Sequence, residues 1–600
     1  MTHFEKNIAV LRRHNPALAA RLETVPGGGI ALETARNGEP TAKVGDIYLH
    51  SPYNPSREAE EWAKSQAAQF PADQPLTVLG FGLGHHLRTL AAAGHGGTVI
   101  EPNTEIVRTA LEGSDLAEVL DRFELFVGVP MDLIRRRHDA LLTRNLVSHP
   151  ASLRANPESL AKLQRYAEGL NLAAGGGKLK ILVVNPIYGG SLPTAHHCIR
   201  ALRNLGHQVI TFESEAFAKG MEFAKTFAYN QSKKSFNAGL ASFLSQAIEL
   251  RARETRPDMV LALAQAPIMP ETMVKLERRG IPTAFWFVED YRVLTYWQEN
   301  APYCSYFFGI QKENFAAELA RIGMDRYAYL PTCAAADVHR PVELTAEERK
   351  ELGSPLSFIG AGYFNRQVFF KGLSDYPFKI WGSDWRVLYP LAPLIQRNAA
   401  RIDTETCVKI FNASEINLNL HSSTTSEGVV PDGDFVNPRT FEIACCGAFQ
   451  LVDRRTLLPG LFEPDELETF SSLEEVREKI DRYLTDADGR MALAERGRQR
   501  VLAEHTYERR MEELVATMLA EFPATAQRVR SRAEKLESIM AELDSHEGLE
   551  ELLQRLPDRQ WFGLNDVMGV VATGKGKLSR AEKIFLMLQN VEVLWEAIPE

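Results

Sequence analysis

Two charged residues open an otherwise apolar segment, NPRTFEIACCGAFQLVD, at residues 437–453. Asn437 and the proline after it predict a turn into a short helix that ends near Gly447. The N-terminus of such a helix presents free backbone N–H groups and a partial positive charge, which suit a phosphate. Arg439 would lie beside that phosphate, and Glu442 offers two carboxylate oxygens to ribose hydroxyls. An ordinary surface ion pair is the simpler alternative, but the apolar surroundings favour a ligand.

Two further cations follow a predicted strand in SFIGAGYFNRQVFFKGL. Arg366 lies in the loop after that strand, and Lys371 comes five residues later. Cations at the carboxyl end of a strand could neutralise a diphosphate leaving group. The alternative that both are solvated surface charges stays equally open.

Three positions are candidates for a catalytic base. Asp290 ends the predicted strand AFWFVED, where open α/β sheets place reactive groups. His196 follows the glycine loop of Gly189 and Gly190 at the start of a predicted helix. His421, after the strand INLNL, is a third candidate and could instead contact the donor.

A glycine turn near the amino terminus suggests a different chemistry. Gly80, Gly82 and Gly84 follow a predicted strand, and Glu101 ends the next one, as in an S-adenosylmethionine site. His85 occupies the place of the third glycine in the dinucleotide motif, and the usual acidic position before the turn is Val78. A structural or acceptor-docking role for this turn is therefore favoured over methyl transfer.

These residues must be positioned by alternating strands and helices, which predict an α/β fold with parallel sheets. Two adjacent Rossmann-like domains account for the central part of the chain. The first 70 residues are predicted to be helical and polar. The predicted domains are an amino-terminal α/β accessory domain at 1–172, an acceptor Rossmann-like domain at 178–340, a donor Rossmann-like domain at 341–522 and a helical tail at 523–600.

Composition limits the classes of partner. The 600 residues carry a net charge of −10, which argues against nucleic acid or an anionic membrane as the main partner. The six cysteines show no metal-ligand spacing and are predicted to be reduced and buried. The amino terminus lacks a signal-peptide core, and no apolar run has the length of a membrane span. We expect a cytoplasmic protein without a metal site or resident cofactor.

Five motifs in order resemble the carboxyl half of the CgeB-like glycosyltransferases, often labelled spore maturation proteins, a GT-B-type family. They are INLNLHSS, the loop with Glu427, NPRTFEIACCGAFQLVD, LFEPDELETFSSLEEVREKIDRYLTD and GRQRVLAEHTYERR, and the resemblance covers roughly 178–520. It implies a nucleotide-diphosphate-sugar donor held mainly by the carboxyl-terminal Rossmann domain, an acceptor held by the other domain, and no required metal. Glu442 would hold the ribose, with Arg366 and Lys371 near the diphosphate.

Glu427 departs from the pattern of related retaining families. Those families carry two glutamates about eight residues apart, whereas Glu427 precedes Glu442 by fifteen. The role of Glu427 in donor binding and the stereochemical outcome therefore stay open.

The amino-terminal part resembles the motility accessory factor family, which is associated with flagellin glycosylation. The segments are LHSPYNPSREAEEW, VLGFGLGHHLRTL and VIEPN, within about 1–150. This resemblance implies flagellin or another surface protein or glycan as acceptor. The expected function is sugar transfer to a hydroxyl, and the alternatives are an S-adenosylmethionine-dependent methyltransferase and a non-catalytic module that binds flagellin or an assembly partner.

Overall fold

The structure is a computed structural model that confirms the predicted α/β class. Its described part contains three parallel sheets and one small antiparallel sheet. In that part, no helix combines the length and the apolar character that crossing a bilayer requires. All six cysteines are buried and free, as predicted. The described residues are 2–67, 69–137, 141–142, 145–424, 426–430, 432–543, 549–556, 564–574 and 576–596.

The amino-terminal segment contains a small sheet that the sequence did not predict. Strands β1 and β3 pair antiparallel with β2 on either side of it. All three residues of β1 are exposed and β3 has only two residues, so no alternating apolar pattern could develop. The elements are α1 His3–His14, α2 Pro16–Thr24, β1 Leu32–Thr34, β2 Pro40–Val44, β3 Ile47–Tyr48 and α3 Pro55–Ala67.

A four-stranded parallel sheet with strand order β6-β5-β4-β7 follows. The predicted succession of strand, glycine turn, helix and strand is confirmed at β4, α4 and β5. A short π-helix, Pro157–Ala161, precedes the last helix of this region. The elements are β4 Leu76–Leu79, α4 His85–Ala92, β5 Gly97–Glu101, α5 Thr104–Gly113, α6 Ala117–Arg122, β6 Phe123–Val127, α7 Met131–Arg136, β7 Leu146–Ser148, α8 Pro150–Ala155 and α9 Lys162–Ala174.

The second parallel sheet has six strands in the order β13-β12-β11-β10-β8-β9. Strands β10, β11 and β12 are buried along their whole length, because helices cover both faces of the sheet. Its elements are β8 Lys180–Val184, α10 Leu192–Asn204, β9 Gln208–Phe212, α11 Ala218–Ala224, α12 Asn230–Thr255, β10 Met259–Leu263, α13 Pro270–Arg278, β11 Thr283–Phe287, α14 Trp297–Asn300, β12 Tyr306–Gly309, α15 Glu313–Arg321 and β13 Tyr327–Tyr329.

The third parallel sheet has five strands in the order β15-β14-β16-β17-β18. Helix α19 begins at the predicted Asn-Pro turn, and the left-handed Gly447 follows its end. The elements are β14 Ser354–Ile359, α16 Ala346–Leu352 before it, α17 Phe364–Phe369, β15 Phe378–Trp381, α18 Thr404–Ala413, β16 Ser414–Asn419, α19 Pro438–Cys445, β17 Gln450–Asp453, β18 Glu468–Phe470, α20 Leu473–Thr485 and α21 Ala487–Glu504.

The chain then crosses back from the third sheet to the second. Helix α22, Tyr507–Glu521, places Met511, Leu514 and Met518 in the core of the second sheet. The sequence assigned this segment to the donor domain at 341–522. In the structure it packs instead on the second sheet, because its apolar side chains complete the core of that sheet. Helix α9 also packs on α22, where Gly169 lies close to the Ala516 carbonyl. Helices α23 Pro523–Leu543, α24 Leu549–Gln554, α25 Leu564–Thr573 and α26 Arg580–Glu596 follow.

One buried arginine connects the two segments in which the chain passes between the second and third sheets. Arg510 is fully buried, and its guanidinium donates to the carbonyls of Pro331 at 2.8 Å and Glu504 at 3.0 Å. It also donates to His505 Nδ1 at 2.6 Å. At the same place Ala334 and Thr506 form a parallel bridge between the outgoing and returning segments.

We predict that Arg510→Met destabilises the protein by roughly 3 kcal/mol, because it leaves two buried carbonyls without their donors. Calorimetry should show a melting temperature lower by several degrees. Exposed Arg530→Met is the matched control and should melt like the parent protein. Equal melting temperatures for the two variants would contradict the structural role of Arg510.

Candidate active site

The carboxyl edges of the second and third sheets face each other across a cleft. A cavity of about 810 Å³ lies in this cleft. Residues between 187 and 218 line one side, and residues between 337 and 409 line the other. The Arg401 guanidinium spans the cleft and donates to the carbonyl of Gly189 at 3.3 Å. Residues that follow strands of both sheets therefore line one open cavity.

An ion pair holds the two sides together. The two terminal nitrogens of Arg292 donate to the two carboxylate oxygens of Asp434 at 2.7 and 2.9 Å. The amide of Gln311 donates to the same carboxylate at 2.8 Å. Burial opposes the ionised carboxylate, but the hydrogen bonds from Arg292 and Gln311 and the charge of Arg292 together outweigh it and lower the pKa of Asp434. Bidentate geometry makes this pair a strong and directional contact.

Asp290 belongs to this clamp rather than to the cavity wall. Its carboxylate accepts the amide of Gln311 at 3.1 Å and the backbone N–H of Arg292 at 3.1 Å. A carboxylate with both of these donors orients the loop after β11. Asp290 therefore does not line the cavity, whereas His196, another candidate for the catalytic base, does.

His196 lines the cavity and is paired with a carboxylate. Its Nε2 lies 3.0 Å from Glu215 Oε1, and the amide of Asn185 reaches the same carboxylate at 3.2 Å. Burial opposes the ionised form of Glu215, but the hydrogen bond from His196 lowers its pKa. Half of the His196 side chain is exposed. A histidine oriented by a carboxylate is the arrangement of a general base.

The predicted glycine loop is at the mouth of this site. Gly189 adopts φ +111° and lines the cavity, and an added Cβ would lie 2.9 Å from Gln265 Oε1. Gly190 is exposed, with open space around it. The loop therefore uses the conformational freedom of Gly189 to bring its carbonyl to Arg401.

Sequence reasoning missed a buried carboxyl beside this loop. Glu289 accepts hydrogen bonds from Gln265 at 2.8 Å and Ser191 at 3.2 Å. Burial raises the pKa of Glu289 above its ordinary value. Its position at the carboxyl end of β11 was visible in the sequence, where the neighbouring Asp290 was chosen instead. Which of two adjacent residues faces the loop depends on the tertiary structure.

On the donor side, two predicted residues, Asn437 and His421, build the start of α19. The side chain of Asn437 caps the helix by accepting the N–H of Thr440 at 3.1 Å. His421 is fully buried, and its Nε2 accepts the Asn437 N–H at 2.9 Å. Its other ring nitrogen therefore carries the proton and donates to Asp453 at 2.6 Å. Burial lowers the pKa of His421 to about 4, so the ring is neutral and supports the helix start.

Arg439 and Glu442 form an ion pair on the first turns of α19. The Glu442 side chain is 14% exposed, and that of Arg439 is 34% exposed. Burial favours the neutral acid, but Arg439 and then His339 outweigh it and lower the pKa of Glu442. His339 Nε2 lies 4.0 Å from Glu442 Oε1. His339, which the sequence did not indicate as a site residue, therefore lies next to the predicted pair of Arg439 and Glu442.

A second histidine connects this pair with the cavity. His197 lines the cavity and packs edge-on against His339 at 5.6 Å between ring centres. Burial lowers the pKa of His197 to about 4, and the nearby His339 and Arg200 act in the same direction. His197 therefore connects the cavity wall with His339, which approaches Glu442 of the third-sheet domain.

The remaining predicted donor residues are dispersed. Arg366 is mostly buried and donates to the carbonyls of Leu420 and Ala361, each at 2.9 Å. It therefore braces the loops at the edge of the third sheet. Lys371 is exposed on a short 3₁₀ turn, where the adjacent Gly372 packs against Leu473 of α20. Glu427 is exposed in the loop after β16.

The glycine turn of the methyltransferase hypothesis is covered by side chains of its own domain. A Cβ added to Gly80 would lie 2.2 Å from Ser152 Cβ, and one added to Gly82 would lie 2.7 Å from His50 Nε2. Glu101 is fully buried and accepts the N–H of Phe81 at 3.0 Å. Burial raises the pKa of Glu101 to about 7. This packing does not favour a cofactor above the turn.

Comparisons with known proteins identify the carboxyl half. Residues 366–516 match a family described as glycosyl transferase-like. Spore protein CgeB of Bacillus subtilis (strain 168) is 24% identical over 276 residues, which are 44% of this chain and 84% of that protein. Among solved structures, sucrose-phosphate synthase from Thermosynechococcus elongatus aligns with a TM-score of 0.41 and 12% identity, covering 59% of this chain and 99% of that one. Anabaena Alr3699/HepE, in complex with UDP-glucose, aligns with a TM-score of 0.38 and 11% identity, covering 59% and 100%.

Of the two Rossmann-like sheets that face each other across the cleft, one therefore carries a glycosyltransferase-like match. The chain is similar to spore protein CgeB over somewhat less than half of its length, which confirms the predicted resemblance. The resemblance of the amino-terminal part to the motility accessory factor family stays a prediction.

We predict that the protein loses stability as the pH falls below about 6.5, partly through His197. Its native pKa of about 4 lies below that of an unfolded histidine. The unfolded chain therefore binds more protons in this window, and stability present above pH 6.5 is lost toward pH 4, by up to about 1 kcal/mol per pH unit. Melting curves from pH 7.5 to 4.5 should show a shallower decline for His197→Gln than for the parent. Parallel curves would contradict this contribution.

Proposed function

We propose that the protein transfers a sugar from a nucleotide-diphosphate-sugar donor to a hydroxyl acceptor. The observation that carries this proposal is the cavity lined by His196 and Glu215, whose wall residue His197 packs on His339. His339 in turn approaches Glu442, so the Arg439 and Glu442 pair lies behind this wall. One side supplies groups suited to a nucleotide, and the other supplies a base. Such an arrangement is what a displacement between two bound substrates requires.

The donor nucleotide would bind at the start of α19. Glu442 is ionised, so its carboxylate can accept hydrogen bonds from both ribose hydroxyls. Arg439 and the backbone N–H groups at the helix N-terminus would stabilise the diphosphate as negative charge develops on it. Arg366 would act by holding the loops in place, since its guanidinium already donates to two carbonyls.

His196 is the proposed base. When its Nε2–H donates to Glu215, its Nδ1 is free to accept a proton. The acceptor oxygen would attack C1 of the sugar, and the C1–O bond to the diphosphate would break with its electron pair leaving on the diphosphate. The proton of the acceptor hydroxyl would move to His196 Nδ1. Asp290 is the less favoured candidate because it is engaged in the interdomain clamp.

The acceptor, the location and the domain functions extend this proposal. We propose flagellin or another surface protein or glycan as acceptor, with the amino-terminal α/β region as its docking module, from the resemblance of that region to the motility accessory factor family. We also propose cytoplasmic action and transfer without a metal at the sugar site. The packing over the glycine turn supports transfer of a sugar rather than a methyl group.

The nucleotide proposal is tested by thermal shift against UDP, GDP, dTDP, CMP and S-adenosylmethionine. A ligand at a hundred times its dissociation constant stabilises the native state by about 2.7 kcal/mol. One nucleotide should raise the melting temperature, and Glu442→Gln should remove most of that rise because the ribose loses its ionised acceptor. Exposed Glu347→Gln is the matched control and should keep it. A shift with S-adenosylmethionine alone would overturn the proposal.

The catalytic proposal is tested by turnover with the donor that this panel identifies and with cell extract as the acceptor source. We predict that His196→Gln lowers kcat by a factor of about 10² to 10⁴ while the nucleotide-induced thermal shift stays unchanged. His14→Gln, a change at a half-exposed histidine on α1, should turn over normally. Full activity of His196→Gln would assign the base elsewhere. Turnover by neither the parent protein nor its variants, together with a copurifying surface protein, would favour the non-catalytic module.

A further inference from the structure

Three histidines from distant segments meet in the amino-terminal α/β region. His50 follows β3, His86 lies in the first turn of α4, and His149 follows β7. Their exposed fractions are 2%, 0% and 4%. One ring nitrogen from each lies within 4.8 Å of the others. This cluster is far along the chain from the proposed transferase site and has no part in it.

Two nitrogens of the cluster are buried without a hydrogen-bond partner. They are the Nδ1 atoms of His50 and His86, for which no partner occurs among the described residues. Buried polar atoms in native proteins nearly always have a partner, so the unpaired His86 Nδ1 points to a bound ion or water.

The partners of the other nitrogens fit a metal site. His86 Nε2 donates to the Gly80 carbonyl at 3.1 Å, which leaves Nδ1 with a free lone pair. His149 Nδ1 is hydrogen-bonded to Ser152 Oγ at 2.8 Å, which orients that ring and leaves Nε2 for coordination. A ligating histidine whose second nitrogen is held by an oxygen is the usual arrangement around a protein-bound metal.

His50 is the ligand that must readjust. Its Nε2 accepts the N–H of Leu83 at 3.0 Å, so its proton resides on Nδ1. That nitrogen lies 3.9 Å from Glu58 Oε2. Coordination through Nε2 uses the lone pair that now accepts the Leu83 N–H, and coordination through Nδ1 requires the proton to move to Nε2. Either route therefore breaks the Leu83 hydrogen bond. The rings of His86 and His149, now stacked at 4.1 Å, would also tilt toward each other.

We propose that His50, His86 and His149 bind one divalent transition-metal ion of the Zn²⁺ class. Imidazole nitrogens suit Zn²⁺, and three histidines leave one position of its tetrahedral shell for a water molecule. The ion would tie the loops after β3 and β7 to the glycine turn before α4. Its role is structural, because the rings are buried, and it differs from the sequence expectation of no metal site.

The test uses the full chain, treated with a chelator and then supplied with Zn²⁺. Metal analysis after desalting should find one zinc per chain, and zinc should raise the melting temperature by several degrees. His86→Gln should lose both effects. His85→Gln is the matched control, because this adjacent ring packs against His50 at 4.9 Å but bonds to the Pro40 carbonyl instead.

Each outcome decides the proposal. Zinc retained by the parent and by His85→Gln but not by His86→Gln supports it. No retained zinc in the parent, or equal retention in both variants, overturns it and leaves a stacked histidine core or an adventitious surface ion. Should His86→Gln fail to fold, Co²⁺ added to the parent protein replaces it as a test. Absence of the visible absorption bands of tetrahedral cobalt would then overturn the site.

Discussion

The arrangement of the two Rossmann-like domains depends on the hydrogen bonds of one buried group, the guanidinium of Arg510. The chain passes between these domains twice, near Ala334 and near Thr506, and the two passages pair side by side. Arg510 donates to a carbonyl on each of them. A charge removed from water is stable only with such a full set of acceptors. The two passages are thereby fixed to helix α22, which also packs against α9 of the amino-terminal region.

Because the two passages between the domains are fixed, the cleft between the second and third sheets has a defined shape. With the passages held together, the loops at the facing sheet edges meet, and Arg292 reaches Asp434 in bidentate geometry. The same closure brings His197 of one domain and His339 of the connection toward Glu442 of the other. The proposed donor and acceptor groups are thus positioned by contacts outside the cavity, in keeping with the need for rigid support around a reactive site.

Long apolar runs and glycine turns made most of the parallel strands predictable. The strand predicted in INLNL, for example, is confirmed in β16, Ser414–Asn419. The three short strands of the amino-terminal sheet were missed because two to five residues, partly exposed, carry no periodic signal. The packing of α22 was also missed, because its sequence shows an apolar face but not which core receives it.

The sequence alone determined that Arg439 and Glu442 begin a helix behind an Asn-Pro cap, since capping and turn preferences are local. It also placed His196 after a glycine loop. Only the tertiary structure decided that Glu215 orients His196, that Glu289 rather than Asp290 faces the glycine loop, and that His421 supports Asn437. These contacts join residues on different strands and loops, so they depend on how the sheets pack and not on spacing along the chain.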